Sequence, residues 1–159
     1  EHDYYPGFKL VRGAYLEKEN HRAIEKGYTS PIHISKENTD KDYNDAISFC
    51  VENHNIVSFC IGTHNEESIN ELVFLMNQHK IHKGNPQIFC IQLYGMGDHI
   101  TYKMASLGYN ASKYLPYGPI LEVIPYLIRR AEENSSTQGQ TSRELLLVKA
   151  ELERRKKKS

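Results

Sequence analysis

Four short apolar runs alternate with longer stretches of helical pattern, and this alternation limits the possible folds more than any other sequence feature. The runs are predicted as strands at residues 8–11, 56–61, 88–93 and 113–115. Each run is followed by a segment with charged and apolar residues at helical spacing. A repeated strand–helix order indicates a parallel sheet with helical crossovers. We therefore predict an α/β fold.

The helices are expected at positions set by apolar stripes and capping residues. The sequence predicts a charged helix over residues 17–26, closed by Gly27. A second helix is expected to begin at Thr39, with Asp42 completing a capping box. Further helices are predicted after each later strand, and a last one from Arg143 to about Arg155, opened by Thr141 and Glu144.

Two architectures fit this order: a small doubly wound open sheet, and half of a (β/α)₈ TIM-type barrel. The 159 residues are too few for a whole barrel, which usually needs about 250. The sequence has neither GxGxxG nor GxxxxGK[ST], so the usual nucleotide fingerprints of an open sheet are missing. Polar and glycine residues follow all four predicted strands, which favours the barrel.

Composition excludes several classes of protein. Twenty Lys and Arg balance twenty Asp and Glu, so we expect no nucleic-acid partner. Three cysteines without CxxC spacing indicate a reducing compartment and not a disulfide framework. His79 and His82 lack further ligands nearby in the sequence, and we predict no metal site. The first residues contain no initiator Met, so we expect that the chain begins inside a longer reading frame.

The helix after the fourth strand carries the most specific functional pattern. Tyr126, Arg129, Arg130 and Glu133 lie at helical spacing, on one predicted face. Adjacent arginines can bind a carboxylate with planar, two-pronged geometry. Arginines near a helix end also simply complement the helix dipole, so the pattern allows both interpretations. The basic run at residues 154–158 is interpreted as a solvated helix end or as a contact to an anionic membrane surface.

The strand-end motifs, taken in order, resemble those of the flavin-dependent proline dehydrogenases, in particular the monofunctional type. The motifs are FKLVRGAY at 8–15, GTHN at 62–65, QLYGM at 92–96, YLPYGP at 114–119 and PYLIRRAEEN at 125–134. The resemblance implies that residues 1–159 form a single domain, the second half of a (β/α)₈ barrel that binds FAD. It also implies oxidation of L-proline to 1-pyrroline-5-carboxylate, with hydride passing to flavin N5 and electrons to a membrane quinone.

The resemblance further assigns roles to individual residues. Arg129 and Arg130 are implied to hold the proline carboxylate, with Glu133 orienting them. Lys9 is implied to lie near flavin N5, where the family often has Arg. The remaining substrate contacts are implied at Leu93, Tyr114 and Tyr126, and the remaining FAD contacts at Gly13, Ala14, Tyr15, Lys36, Thr63, His64, Asn65 and Gln92.

The first half of such a barrel is missing from this sequence, and we expect the fragment to be inactive unless a partner completes it. Two alternatives stay open: a non-catalytic half-barrel that self-associates or binds a ligand, and a barrel acting on another amino-acid-like carboxylate. The expected location is mitochondrial for a eukaryotic protein. For a bacterial one it is cytoplasmic, with possible peripheral association with the inner membrane.

Overall fold

The computed structural model describes residues 4–136 and residue 153, and of residues 131–136 it describes the backbone alone. Strands and helices alternate along the described chain. The elements are β1 (Gly7–Val11), α1 (Leu16–Lys26), α2 (Lys36–Glu52), β2 (Ser58–Gly62), α3 (Glu66–Gln78), β3 (Ile88–Leu93), α4 (Asp98–Ser106), β4 (Ala111–Tyr114) and α5 (Ile120–Ser136).

The four strands form one parallel sheet in the order β1-β2-β3-β4. Neighbours in the sheet are therefore also neighbours in sequence. A doubly wound sheet instead reverses its strand order at a switch point. The sequential order matches a segment of a (β/α)₈ barrel, and the predicted fold class is confirmed.

The hydrophobic core lies between the sheet and helices α2, α3 and α4. Ile61 of β2, Ile47 of α2 and Leu72 of α3 are all completely buried. Cys90 of β3 and Met104 of α4 extend the same cluster. Because these side chains meet on one side of the sheet, the strands present their other face away from the described core.

Helix α2 begins earlier than the sequence pattern predicts, at Lys36 and not at Thr39. The N-cap is Ser35, whose Oγ accepts a hydrogen bond from the Asn38 backbone N–H at 3.2 Å. Thr39 lies inside the first turn, and its hydroxyl donates to the Ser35 carbonyl. The Thr39–Asp42 capping box was therefore wrong, because Ser35 offers a cap one turn earlier.

Helix α5 extends past the fourth strand, and its apolar stripe is not buried. Ile120, Ile124 and Ile128 are all exposed to solvent. The predicted helix over residues 143–155 lies outside the described residues, apart from Glu153. Among the described residues, no helix is both long enough and apolar enough to cross a bilayer.

We predict that Leu72→Ala lowers the free energy of unfolding by about 2–5 kcal/mol, because it leaves a cavity at a fully buried site. Phe74→Ala, on the same helix, is the matched control, because Phe74 is 61% exposed. Urea denaturation followed by circular dichroism measures both. Equal losses for the two variants would contradict this placement of the core.

Candidate functional site

The sheet face opposite the core carries several of the predicted site residues. In-register neighbours of a parallel sheet point to the same face. Lys9 of β1 is in register with Cys60 of β2, and Leu93 of β3 with Tyr114 of β4. Since Ile61 and Cys90 point into the core, the strand alternation turns these four side chains to the other face.

The sheet curves strongly toward this face. Lys9 Nζ lies 4.1 Å from the centre of the Tyr114 ring, although β1 and β4 are the two edges of the described sheet. Three strand spacings separate these edges, about 14 Å in a flat sheet. Side chains that stand perpendicular to a flat sheet could not meet over that distance. The face that carries Lys9 and Tyr114 is therefore concave.

A glycine on β2 makes room for Lys9 on the concave face. A Cβ atom on Gly62 would lie 3.0 Å from Val11 Cγ1 and 3.5 Å from Lys9 Cε. The Lys9 side chain therefore passes over β2 at a position with no side chain. A larger residue at position 62 would push Val11 or Lys9 out of place.

Helix α5 contributes to the same face through two further ring contacts. The Tyr114 and Tyr126 rings are 6.1 Å apart and nearly perpendicular, at 76°. The Arg130 guanidinium carbon lies 5.4 Å from the Tyr126 ring centre. Lys9, Tyr114, Tyr126 and Arg130 thus form a continuous series of contacts, which we call the cation–aromatic row.

The other predicted residues of α5 are less closely connected to this row. Arg129 is exposed, whereas Arg130 and Tyr126 are half-buried. The Glu133 side chain lies outside the described residues, so its predicted role as orienting acid stays a prediction. Leu93 is buried beside Tyr114, as a residue forming the floor of a pocket would be.

A second cluster surrounds Arg12, which directly follows β1. Its Nη1 donates to Thr63 Oγ1 at 2.9 Å, and its Nη2 donates to Ser68 Oγ. Nε forms an ion pair with Asp40 Oδ1 at 2.8 Å. The guanidinium carbon also lies 3.9 Å from the centre of the Tyr43 ring. The sequence alone predicts no role for Arg12 or for any of its partners except Thr63.

The predicted FAD segment at residues 63–65 is held by hydrogen bonds on both sides. Thr63 Oγ1 accepts from the Asn65 N–H at 3.0 Å, and Asn65 Oδ1 caps α3 by accepting from the Ser68 N–H. His64 Nε2 accepts from the Leu93 N–H at 3.2 Å. This acceptor role requires that Nε2 carries no hydrogen.

Gln92 lies on the core side of β3 and not on the concave face. Its side chain is 1% exposed, and its Nε2 donates to the Thr63 carbonyl at 3.1 Å. Its Oε1 accepts from the Thr101 hydroxyl at 2.8 Å. Gln92 therefore helps to fix the Thr63 backbone from the core side of the sheet. That it also contacts FAD stays a prediction.

The segment after β1 bends sharply and is exposed. Gly13 has φ 68° and Tyr15 has φ 59°, both in the left-handed region, and Ala14 lies between them. Glycine adopts this conformation without strain, whereas it is unusual for tyrosine. Lys36 lies at the start of α2, where it forms an ion pair with Asp40 and so joins the Arg12 cluster.

Burial changes the acidity of three groups near these clusters. It raises the pKa of the Tyr43 hydroxyl, and the nearby Arg12 charge opposes part of that rise. It also raises the pKa of the Cys60 thiol, and the nearby Lys9 charge opposes part of that rise. It raises the pKa of Cys90 to about 12. All three groups are therefore protonated at neutral pH.

The described part of the chain contains no group of three or more His, Cys, Asp or Glu side chains placed to hold a metal ion. His82 instead uses its Nδ1 to accept from the Gly84 N–H.

Comparisons with known proteins identify relatives of this chain. The family model described as proline dehydrogenase matches residues 1–143. Proline dehydrogenase 2, mitochondrial, from Arabidopsis thaliana is 41% identical over 152 residues, which cover 94% of this chain. Hydroxyproline dehydrogenase from Xenopus laevis is 40% identical over 156 residues, again 94% of this chain.

A solved structure shares the fold. The crystal structure of proline utilization A (PutA) from Bdellovibrio bacteriovorus inactivated by N-propargylglycine matches with a TM-score of 0.73 at 26% identity, covering 83% of this chain. The matches cover only part of each relative: 32% of the Arabidopsis protein, 33% of the Xenopus protein and 14% of the PutA chain. The chain therefore spans about a third or less of these relatives.

We predict that Lys9→Met raises the pH midpoint for alkylation of Cys60. Removing the nearby positive charge takes away an interaction that favours the thiolate, which is the reactive form. Peptide mass spectrometry after iodoacetamide pulses at a series of pH values measures the midpoint. Lys18→Met, which removes an exposed charge near Tyr15, is the control and leaves the midpoint unchanged. An unchanged or lower midpoint in Lys9→Met would contradict the placement of Lys9 beside Cys60.

Proposed function

Because the chain belongs to the proline dehydrogenase family, we propose that it forms the half of a barrel that binds FAD and L-proline and oxidises the proline to 1-pyrroline-5-carboxylate. The observation that carries the proposal is the cation–aromatic row. It brings Lys9, Tyr114, Tyr126 and Arg130 from three separate elements to one concave face.

In this proposal Arg129 and Arg130 bind the substrate carboxylate. Guanidinium groups present several N–H donors in one plane and bind a carboxylate through two parallel hydrogen bonds. The half-buried position of Arg130 against Tyr126 supports this role, because a partly desolvated cation attracts an anion more strongly. Glu133 is proposed to orient the pair.

The proposed walls of the substrate site are apolar and aromatic. Tyr114 and Tyr126, edge to face, would pack against the proline ring, and Leu93 would lie beneath it. Such a site excludes water from the reacting carbon and limits the size of the substrate. A substrate with a hydroxyl on the ring would have to place that polar group against these walls.

The residues at the strand ends fit a flavin dinucleotide in their chemistry. The diphosphate requires positive charge and N–H donors, which the α3 N-terminus after residues 63–65 and the Lys36 ammonium can supply. Gly13, with its left-handed backbone and no side chain, allows a ring system to approach β1 closely. Ala14 and Tyr15 are proposed to border the same space.

FAD, when bound, supplies the hydride acceptor for the carbon next to the proline nitrogen. Lys9 then has an electrostatic role. Its ammonium group lies over Tyr114 on the concave face. There it would stabilise the negative charge that the flavin acquires when it accepts the hydride. Arg129 and Arg130 keep the proline oriented by its carboxylate, so that the reacting carbon faces away from solvent.

We further propose that additional strands complete the barrel. In the described sheet β1 and β4 each have one neighbour, and an unpaired edge offers a row of backbone hydrogen-bonding groups. The exposed apolar stripe of α5 supports the same proposal, because it is suited to packing against further helices. The chain alone would then lack part of the active site.

The proposed electron acceptor is a membrane quinone, reached by peripheral association with the membrane. In a eukaryote the protein would be mitochondrial, as the name of the Arabidopsis relative states for that protein.

Reduction by proline tests the proposal directly. The full protein that contains this sequence should purify with bound flavin, and anaerobic addition of L-proline should bleach the flavin absorbance. Proline-dependent bleaching that is absent with glycine supports the assignment. A flavin-free protein, or a bound flavin that proline does not reduce, would contradict it.

We predict that Arg129→Met and Arg130→Met each raise the KM for proline about ten- to hundredfold, since each removes hydrogen bonds between charged groups. Steady-state kinetics with an artificial acceptor measures the change. Lys103→Met is the control: Lys103 lies in the last turn of α4, at the opposite end of that helix from the carboxyl ends of the strands. Unchanged KM in both arginine variants would refute the carboxylate assignment.

A further inference from the structure

We propose that Arg12 is a positioning residue for flavin binding, which holds the two segments assigned to FAD in a fixed relation to each other. This inference rests on the proposed function. Arg12 itself is not assigned a contact with the flavin. It immediately precedes the segment at residues 13–15, and its guanidinium donates to Thr63, the first residue of the segment at 63–65.

The Thr63 hydroxyl is the point where the two segments are joined. Its Oγ1 accepts from Arg12 Nη1 at 2.9 Å and from the Asn65 N–H at 3.0 Å. Thr63 is 8% exposed, so water cannot readily replace either donor. With both donors in place, the backbone of residues 63–65 has one orientation relative to the end of β1.

The guanidinium is in turn fixed from three directions. Ser68 Oγ, on the first turn of α3, accepts from Nη2 and itself donates to Asn44 Oδ1 on α2 at 2.7 Å. Asp40 forms the ion pair with Nε, and the Tyr43 ring packs against the guanidinium plane. Both of these residues belong to α2.

This arrangement requires arginine and not merely a positive charge. Nη1 and Nη2 donate in two fixed directions within one plane, to Thr63 and Ser68, while Nε lies 2.8 Å from Asp40 Oδ1 as an ion pair. A lysine ammonium is a single point on a flexible stem and cannot reach all three partners at once. Lysine also offers no planar face to stack on Tyr43.

The test compares the affinity for FAD with the KM for proline in the full protein. FAD is titrated into flavin-free protein and binding is followed by quenching of flavin fluorescence, for the wild type, Arg12→Met, Arg12→Lys and Ser68→Ala. We expect the Kd for FAD to rise about ten- to hundredfold in Arg12→Met, because segments that are no longer held in place must lose conformational freedom when FAD binds. Arg12→Lys and Ser68→Ala should each give a smaller rise of several-fold. At saturating FAD, the KM for proline should stay within twofold of the wild type.

The controls separate positioning from stability and from charge. Lys41→Met removes an exposed charge from α2 that pairs with Asp45, and it should leave the Kd for FAD unchanged. If Arg12→Met does not fold, the Kd for FAD of Ser68→Ala tests the inference instead, because that variant removes one acceptor and keeps the guanidinium. Unchanged FAD affinity in the folded variants, wild-type affinity in Arg12→Lys, or a proline KM raised as much as the FAD Kd would each overturn the inference. A wild-type protein that does not bind FAD would instead overturn the proposed function.

Discussion

The curvature of the sheet is the constraint on which the site depends. Lys9 and Tyr114 lie on opposite edges of four strands, yet the ammonium is 4.1 Å from the ring centre. Without this curvature the two side chains would remain about 14 Å apart. Helices pack on the convex side of the sheet, where Ile61 and Leu72 are fully buried, and this packing supports the curvature. Gly62 gives Lys9 space on the concave side.

The site divides into two parts with different physical character. The cation–aromatic row combines positive charge with aromatic rings, and in the proposed function it contacts proline. The Arg12 cluster consists of hydrogen bonds and an ion pair at the carboxyl ends of β1 and β2. These contacts connect the segment after β1 with the segment that begins at Thr63. Because β1 supplies both Lys9 and Arg12, one strand links the two parts.

Much of the fold could be predicted because its signals are local. The apolar run at residues 88–93 coincides with β3, and Gly27 ends α1 as the sequence indicated. The start of α2 could not be predicted reliably, since Ser35 and Thr39 are both good caps and the choice depends on how the preceding loop packs. Helix α5 follows the fourth strand as the sequence predicted, but its apolar stripe is exposed among the described residues, and a sequence pattern shows that a helix has an apolar face without showing what covers it.

The residues of the candidate site could be predicted only where they belong to sequence motifs. Resemblance identified Lys9, Tyr114 and Tyr126, and the structure brings these residues together. The partners of Arg12 are separated from it by 51 residues at Thr63 and by 56 at Ser68, so no local pattern connects them. Gln92 illustrates a different difficulty, because a polar residue in a strand-end motif can lie on the core side of the sheet. Its side-chain amide forms hydrogen bonds with the Thr63 carbonyl and the Thr101 hydroxyl.

A crystal structure of the full, flavin-loaded protein with a non-reactive cyclic amino acid would show whether the concave face binds both flavin and substrate. We expect the flavin ring beside Lys9, with the ligand ring against Tyr114 and Tyr126 and its carboxylate on Arg129 and Arg130. A flavin bound away from the concave face, or arginine side chains turned toward solvent with the ligand in place, would contradict it.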